Sequence, residues 1–280
     1  MTIVLARKFD QRIIVLSDTM ISDQEALGHN IFPGRLKSIV VNKWLTVSYA
    51  GLSVQAMDII RSLRTISDLT TNDAVAILLR ANEHHEDAIE FILCSHEEHS
   101  RLLKISASTA SEGSDFYWIG SAEAATEISR SHAPGPAAAG RPDHVTQDEL
   151  DFISTFWRFL NKGVSGCVGG AAVNCLCSPC GHCYQTHAGI FAWDTIVVGK
   201  DDPIAREAMN KTGMYQFGYN LCAPETRGVA LVGLYFDQSA TGYLYDPMNR
   251  DDAVKIRNTD VASFSRLVSD SAAVLAEGNL

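Results

Sequence analysis

Cations are scarce in this sequence, long apolar runs are missing, and the chain does not begin like a secretory leader. Lys and Arg total 23 against 33 Asp and Glu over 280 residues, a formal net charge of −10 at pH 7. A chain this short of positive charge lacks the basic face that phosphate backbones require, so no nucleic-acid partner is expected. No stretch approaches the ~18 uncharged apolar residues of a spanning helix, and no membrane partner is expected either. Met1-Thr2-Ile3-Val4 enters a strand-like run at once, with neither a charged leader region nor a small-residue cleavage site. A reducing, cytoplasmic setting is therefore the expectation. Between Gly163 and Gly170 the Lys-Ser/Thr ending of a phosphate loop is missing, so ATP binding by the chain itself has no support. There is no internal repeat. The one low-complexity stretch, 132–142, is short and reads as a surface loop. With 46% hydrophobic residues, the chain is long enough to bury a large core in one domain spanning 1–280.

What is present begins with strands. Residues 2–8 and 12–18 are rich in β-branched side chains and flank a short polar break, the pattern of an antiparallel hairpin. Two more strands are expected at 38–41 and 45–49, then a helix over 52–66 from three- and four-residue apolar spacing. Cap chemistry at Thr71-Asn72-Asp73 predicts a second helix from 74 to about 82. Strands are expected at 88–94, 102–106 and 115–119, a third helix from Gly120-Ser121 to about 131, and a fourth after Thr146. That fourth helix carries Phe152, Phe156, Trp157 and Leu160 on one face. Strands return at 172–177, 190–193, 229–236 and 241–245, with a short helix at 203–209. Runs of strands separated by helix pairs predict an α+β protein of packed antiparallel sheets flanked by helices, not a βαβ alternation.

Thr2 stands directly after the initiator methionine, and a small second residue favours Met1 removal. A threonine left at the amino terminus carries nucleophile and base on one residue, because its free α-amine can take the Oγ proton. Around it stand a strand ending in Ser17-Asp18, then Leu36-Lys37-Ser38-Ile39-Val40, then Tyr49-Ala50-Gly51. Asp18 lies 16 positions after Thr2, and Gly51 lies 14 after Lys37. In order and spacing these segments resemble the β-type subunits of proteasomes, a family of N-terminal nucleophile hydrolases. The nearest likeness is to the bacterial proteasome-related protease and the ancestral β-subunit group. Trp118-Ile119-Gly120-Ser121 before an Ala-rich helix is similar to the family's Gly-Ser segment.

The resemblance implies a four-layer αββα sandwich and threonine-type cleavage of peptide or other amide bonds through an acyl-Thr2 intermediate. It implies that Lys37 lowers the effective pKa at Thr2, that Asp18 positions Lys37, and that Gly51 offers its N–H to the oxyanion. Ser121 would assist proton transfer at the amine, and Tyr49 and Ser53 would line the substrate pocket. It also implies a homo-oligomer in a ring or related array, with an ATPase partner in some members and no required cofactor. The family has an Asp three residues before a Ser ahead of Gly-Gly. Here Ser165-Gly166 matches the Ser with Lys162 in place of Asp, or else Gly169-Gly170 is matched and Ser165 stands at the Asp position. A subunit that keeps the fold without activity is the alternative. Residues from about 178 to 280 include more chain than such a subunit needs and read as an elaboration.

Five of seven cysteines fall between Cys167 and Cys183. Cys175, Cys177, Cys180 and Cys183, with His182 among them, have spacings that could wrap a Zn²⁺. That would make a metal module the working part. Alternation along a strand instead puts Cys175 and Cys177 on one face as apolar filler; an iron–sulfur site and a Cys180/Cys183 redox pair are further readings. His84-His85 and His96 to His99 read as solvated loop charges.

Overall fold

The computed structural model describes residues 2–21, 34–131, 145–161, 168–192, 215–223 and 227–277. Within them lie five helices and three antiparallel sheets. The short helix expected at 203–209, the loop at 132–142, and Lys162 and Ser165 lie outside the described residues.

The first hairpin forms as expected, with β1 (Ile3–Phe9) paired to β2 (Arg12–Asp18) through a two-residue turn at Asp10-Gln11. Asp10 takes φ 54° there, a left-handed conformation that Asp tolerates. β3 (Ser38–Asn42) and β4 (Leu45–Gly51) lead into α1 (Ser53–Arg64) and α2 (Thr71–His84). α2 is capped one residue earlier than predicted. The Thr70 hydroxyl accepts from Asp73 N, and the Asp73 carboxylate accepts from Thr70 N, a reciprocal capping box. Next come β5 (Ile89–Ser95), β6 (Arg101–Ser106), β7 (Thr109–Glu112) and β8 (Phe116–Gly120), then α3 (Ala122–Ser131) and α4 (Gln147–Asn161). β7 is exposed along its whole length and has no apolar alternation, so the sequence pattern does not announce it.

β9 (Ala172–Cys177) and the two-residue β10 (Cys183–Tyr184) complete a sheet ordered β10-β9-β2-β1-β8. A second sheet runs β3-β4-β5-β6-β7. Contacts of β4, β5 and β6 with β8, and of β1 with β4, put the two sheets face to face. α1 and α2 pack on the second sheet, and α3 and α4 pack on the first. Val4, Val15, Val47, Phe91 and Ile119 are among the fully or nearly fully buried residues of the principal core. Ile3, Leu16, Ile128 and Phe156 form a cluster under α3 and α4. Each such side chain removed from water contributes on the order of 1.5–3 kcal/mol.

The rest of the chain builds a third sheet: β11 (His187–Ala192), β12 (Tyr215–Leu221), β13 (Val232–Phe236), β14 (Thr241–Tyr245) and β15 (Val254–Arg257). α5 (Val261–Glu277) lies on it, with Phe264 and Val268 buried against Leu231 and Tyr235. β12, β15 and α5 are absent from the sequence reading. Asp260 caps α5 by accepting from Ser263 N at 2.8 Å. Val232, Leu234, Phe236 and Tyr243 join the principal core, so this elaboration shares buried surface with the first two sheets.

The cysteines divide between core and surface, and one expectation about the histidines changes. Cys175 and Cys177 are fully buried in β9, with Sγ atoms 3.9 Å apart, while Cys180 is exposed and Cys183 half-buried. Strand alternation sends the first pair inward and the turn carries Cys180 out, so the four thiols do not converge. Among the described residues no group of three or more His, Cys, Asp and Glu is placed to hold a metal. His96 is not a solvated loop residue. Its Nε2 lies 2.8 Å from Gln11 O, its Nδ1 lies 2.9 Å from His182 Nε2, and His182 Nδ1 lies 2.8 Å from Thr46 Oγ1. A carbonyl can only accept, so His96 carries a proton on Nε2; with both rings neutral, His182 donates from Nε2 and Thr46 donates to His182 Nδ1. Burial lowers the pKa of both, and carries His182 to about 3 with the neighbouring His96 adding to the shift.

Candidate active site

The register of three strands assembles the site. In the β1–β2 ladder Val4 faces Ser17, which brings Asp18 opposite Ile3 at the open end of the hairpin. In the β1–β8 ladder Ile3 faces Gly120, which brings Ser121 beside Thr2. Thr2 and Asp18, 16 positions apart in the chain, thus become neighbours because the hairpin turn is only two residues long.

Thr2 Oγ1 donates to Asp18 Oδ1 at 2.6 Å, and Lys37 Nζ donates to the same oxygen at 2.8 Å. Ile3 N reaches that oxygen at 3.1 Å, and Gly169 N donates to Asp18 Oδ2 at 3.2 Å. Lys37 Nζ also donates to Met20 O. Thr2 and Lys37 meet on one carboxylate oxygen rather than on each other. All three side chains are buried: Thr2 is 6% exposed, Asp18 0% and Lys37 5%. Burial holds the Lys37 ammonium below its ordinary pKa, and Asp18 opposes that shift by Coulombic attraction and a hydrogen bond. Asp18 therefore opposes the loss of the proton from a buried lysine beside the Thr2 hydroxyl.

The group opens into a cleft of about 740 Å³, lined in part by Thr2, Met20, Arg35, Lys37, Tyr49, Gly51 and Ser53. Gly51 closes β4 at φ 104°, and a Cβ there would sit 1.9 Å from Ala88 O. Gly120, at φ 92°, approaches so closely that a Cβ would sit 2.1 Å from Thr2 O. These are positions only glycine can occupy.

The other expected site residues divide between the cleft wall and positions away from it. The contact of Ser121 with Thr2 runs through the main chain, Ser121 N donating to Thr2 O at 2.7 Å. Its hydroxyl accepts from Ala124 N at 3.2 Å and caps α3. Tyr49 lines the cleft but is 2% exposed, and its hydroxyl donates to Leu36 O at 3.0 Å. Burial pushes that phenol above its ordinary pKa. Ser53 stands at the first turn of α1 and its Oγ accepts from Arg35 Nη1 at 3.1 Å. Ser165 lies outside the described residues. Cys175, Cys177, Cys180 and Cys183 take no part in the cleft lining.

Sequence reasoning misses four contributors. The Met20 carbonyl and the Gly169 N–H are main-chain groups, and no side-chain pattern marks them. Thr19 Oγ1 accepts from Ala171 N at 2.9 Å and ties the Gly169-Gly170 turn to the end of β2. The Gly-Gly pair is the one sequence signal of that contact. Glu90 accepts from Gly120 N at 2.9 Å and lies 3.3 Å from Lys104, supporting the segment that faces Thr2.

No protein-family model matches the chain, and no curated protein matches it. The arrangement can nonetheless be judged on its chemistry. A hydroxyl held by a carboxylate beside a desolvated ammonium, at the floor of an open cleft, suits a nucleophile that works by acyl transfer.

Proposed function

We propose that this chain is a threonine-type N-terminal nucleophile hydrolase that cleaves peptide or other amide bonds once Met1 is removed. The observation that supports it most is the meeting of Thr2 Oγ1 and Lys37 Nζ on Asp18 Oδ1, beneath the cleft. The packing of α1 and α2 outside one sheet and α3 and α4 outside the other supports the four-layer αββα arrangement of that class.

In the proposed reaction the free Thr2 α-amine takes the Oγ proton, and Oγ bonds to the substrate carbonyl carbon. An α-amine titrates near ~7.7–8.0, so it is a competent base at neutral pH. Lys37, held charged by Asp18, lowers the energy of the alkoxide as it forms. The oxyanion faces the Gly51 end of β4, where a main-chain N–H would stabilise it by about 3 kcal/mol. The C–N bond then breaks, the leaving nitrogen takes the proton from the α-ammonium, and acyl-Thr2 remains. Water activated by the same amine attacks the ester carbonyl, returns a proton to Oγ and releases the acid. Self-association into a ring or related array is part of the same reading.

Intact mass and an electrophilic N-terminal-threonine inhibitor test the reading. The expected result is loss of Met1 and a single adduct on Thr2 that Thr2→Ala abolishes and Thr2→Ser retains. Folded protein that keeps Met1, or that forms no adduct after Met1 is lost, would overturn it in favour of a silent structural subunit.

A further inference from the structure

The cleft contains a cation that the chemistry above does not use. Arg35 lines it together with Thr2, Tyr49 and Ser53. Among the described residues the Arg35 guanidinium makes one good hydrogen bond, Nη1 to Ser53 Oγ at 3.1 Å. Its Nε is buried and has no partner there. Its ion pair is with Asp252 at 3.7 Å, and the Asp252 side chain is 88% exposed. A pair that long, with one member in water, contributes little and separates readily. Arg61, nearby on α1, is by contrast held by Asp251 at 2.8 Å and by Pro247 O at 2.9 Å. Other charges around the cleft have partners of their own. Lys37 is matched to Asp18, Glu90 to Lys104 and Gly120 N, and Asp87 to Ser108 N. Among the described residues Arg35 is thus the cleft's cation with unused donors, three-quarters or more buried and already oriented by Ser53.

The geometry points to Arg35 as the residue that selects the substrate, taking an acidic side chain, Asp or Glu, next to the bond presented to Thr2. The inference rests on the proposed hydrolase reading and names its substrate class. A carboxylate entering the cleft would accept from the planar fork of Arg35 and displace Asp252 into solvent. A neutral isostere leaves Asp252 in place and gains no charge-assisted hydrogen bond from the guanidinium. Asp252 belongs to the segment after β14, so the elaborated part of the chain supplies a competing carboxylate that the substrate must displace.

Two readouts separate this inference from the reading beneath it. The first compares hydrolysis of N-acetylated fluorogenic peptides that differ only in Glu against Gln, or Asp against Leu, at the residue before the scissile amide. Wild type should favour the acidic member by tenfold or more in kcat/KM. Arg35→Met should abolish or reverse that preference, and Asp252→Asn should lower KM for the acidic peptide with little change for the neutral one. The second measures binding of uncleavable N-acetyl peptides ending in Glu or Gln to the Thr2→Ala protein by calorimetry. It needs no turnover, and a Glu preference lost on adding Arg35→Met supports the inference. Equal affinity for Glu and Gln, or a preference that Arg35→Met leaves in place, would overturn it even where Thr2 is labelled and active. Absence of hydrolysis and of the Thr2 adduct, with Glu-selective binding intact, would instead retire the hydrolase reading and leave Arg35 as an acidic-ligand site.

Discussion

Replacing Asp18 by Asn removes one charge from a buried pair and leaves Lys37 as a cation with a 6% exposed side chain. Two responses are open to the protein. Lys37 can stay charged without its partner, at about 3–5 kcal/mol. Alternatively it can give up its proton, which at pH 7 and an unfolded pKa of about 10.4 costs about 4.6 kcal/mol. The two routes converge, so Asp18→Asn should lose about 3–5 kcal/mol in denaturant unfolding at pH 7. Lys37→Met leaves the carboxylate with donors from Thr2 Oγ1, Ile3 N and Gly169 N, and should lose less, about 2–3 kcal/mol. The double variant holds two neutral groups of similar volume and should cost far less than the sum, with a coupling of about 3 kcal/mol. The pH dependence has a definite sign. In Asp18→Asn the folded-state pKa of Lys37 falls further below that of the unfolded chain. Between that lowered value and about 10.4 the unfolded chain binds more protons, so the variant regains stability as pH rises, by up to about 1.4 kcal/mol per unit. Unfolding of all four proteins at pH 7 and pH 9 gives both quantities. Additivity within about 0.5 kcal/mol, or a gap to wild type that does not narrow at pH 9, would refute the claim that Asp18 holds a buried charged lysine.

Acid should destabilise the protein through the His96–His182 relay. The folded pKa of His182, about 3, lies below the ordinary 6.5, so its stability contribution is present above pH 6.5 and declines as pH falls toward 3. By pH 5 this one residue should account for a loss of about 2 kcal/mol. The difference in urea-unfolding stability between pH 7.5 and pH 5 should shrink by that amount in His182→Asn, and an unchanged difference would contradict the buried neutral assignment. Gly120→Ala would drive a Cβ to 2.1 Å from Thr2 O at φ 92°, and should cost about 3 kcal/mol or more. A loss under about 1 kcal/mol in the same assay would show that β8 does not approach Thr2 this closely.

Much of the first half of the chain was legible because its signals are local. β-branched runs broken by two polar residues announce β1 and β2, and helical spacing announces α1 and α4. β7 was not legible, since four exposed residues carry no apolar alternation. β15 has the same difficulty: Val254-Lys255-Ile256-Arg257 alternates, but over four residues only. α5 has a clear cap in Asp260 and an apolar stripe through Phe264 and Val268, so its signal is present in the sequence. The site was legible as side chains and illegible as main chain. Thr2 could be named from its place after Met1, and Asp18 and Lys37 through the family resemblance, whereas Met20 O and Gly169 N acquire meaning only once β9 lies beside β2. The buried state of His96 was likewise hidden, because its partners Gln11 and His182 stand 85 and 86 positions away.

The ladders themselves explain why the polar group sits where it does. An antiparallel hairpin brings the start of one strand to the end of the next, and β8 returns antiparallel to the other side of β1. The start of β1 therefore meets the ends of both neighbours, and Thr2, just before Ile3, is flanked by Asp18 on one side and Ser121 on the other. β9 pairs Ala172 with Asp18, so the turn before β9 folds over the same end and supplies Gly169 N. Lys37, immediately before β3 in the facing sheet, enters from the opposite layer and finds Asp18 in the gap. At strand ends the ladder hydrogen bonds run out, leaving main-chain groups such as Ile3 N, Met20 O and Gly169 N to satisfy a buried carboxylate and a buried ammonium. Apolar strand centres could not do that without leaving ladder groups unpaired. Charge can be buried at this edge of the two-sheet core because three strand ends and one turn converge there. The same convergence leaves the edge open to the cleft, where a chemical role for Thr2 is geometrically possible.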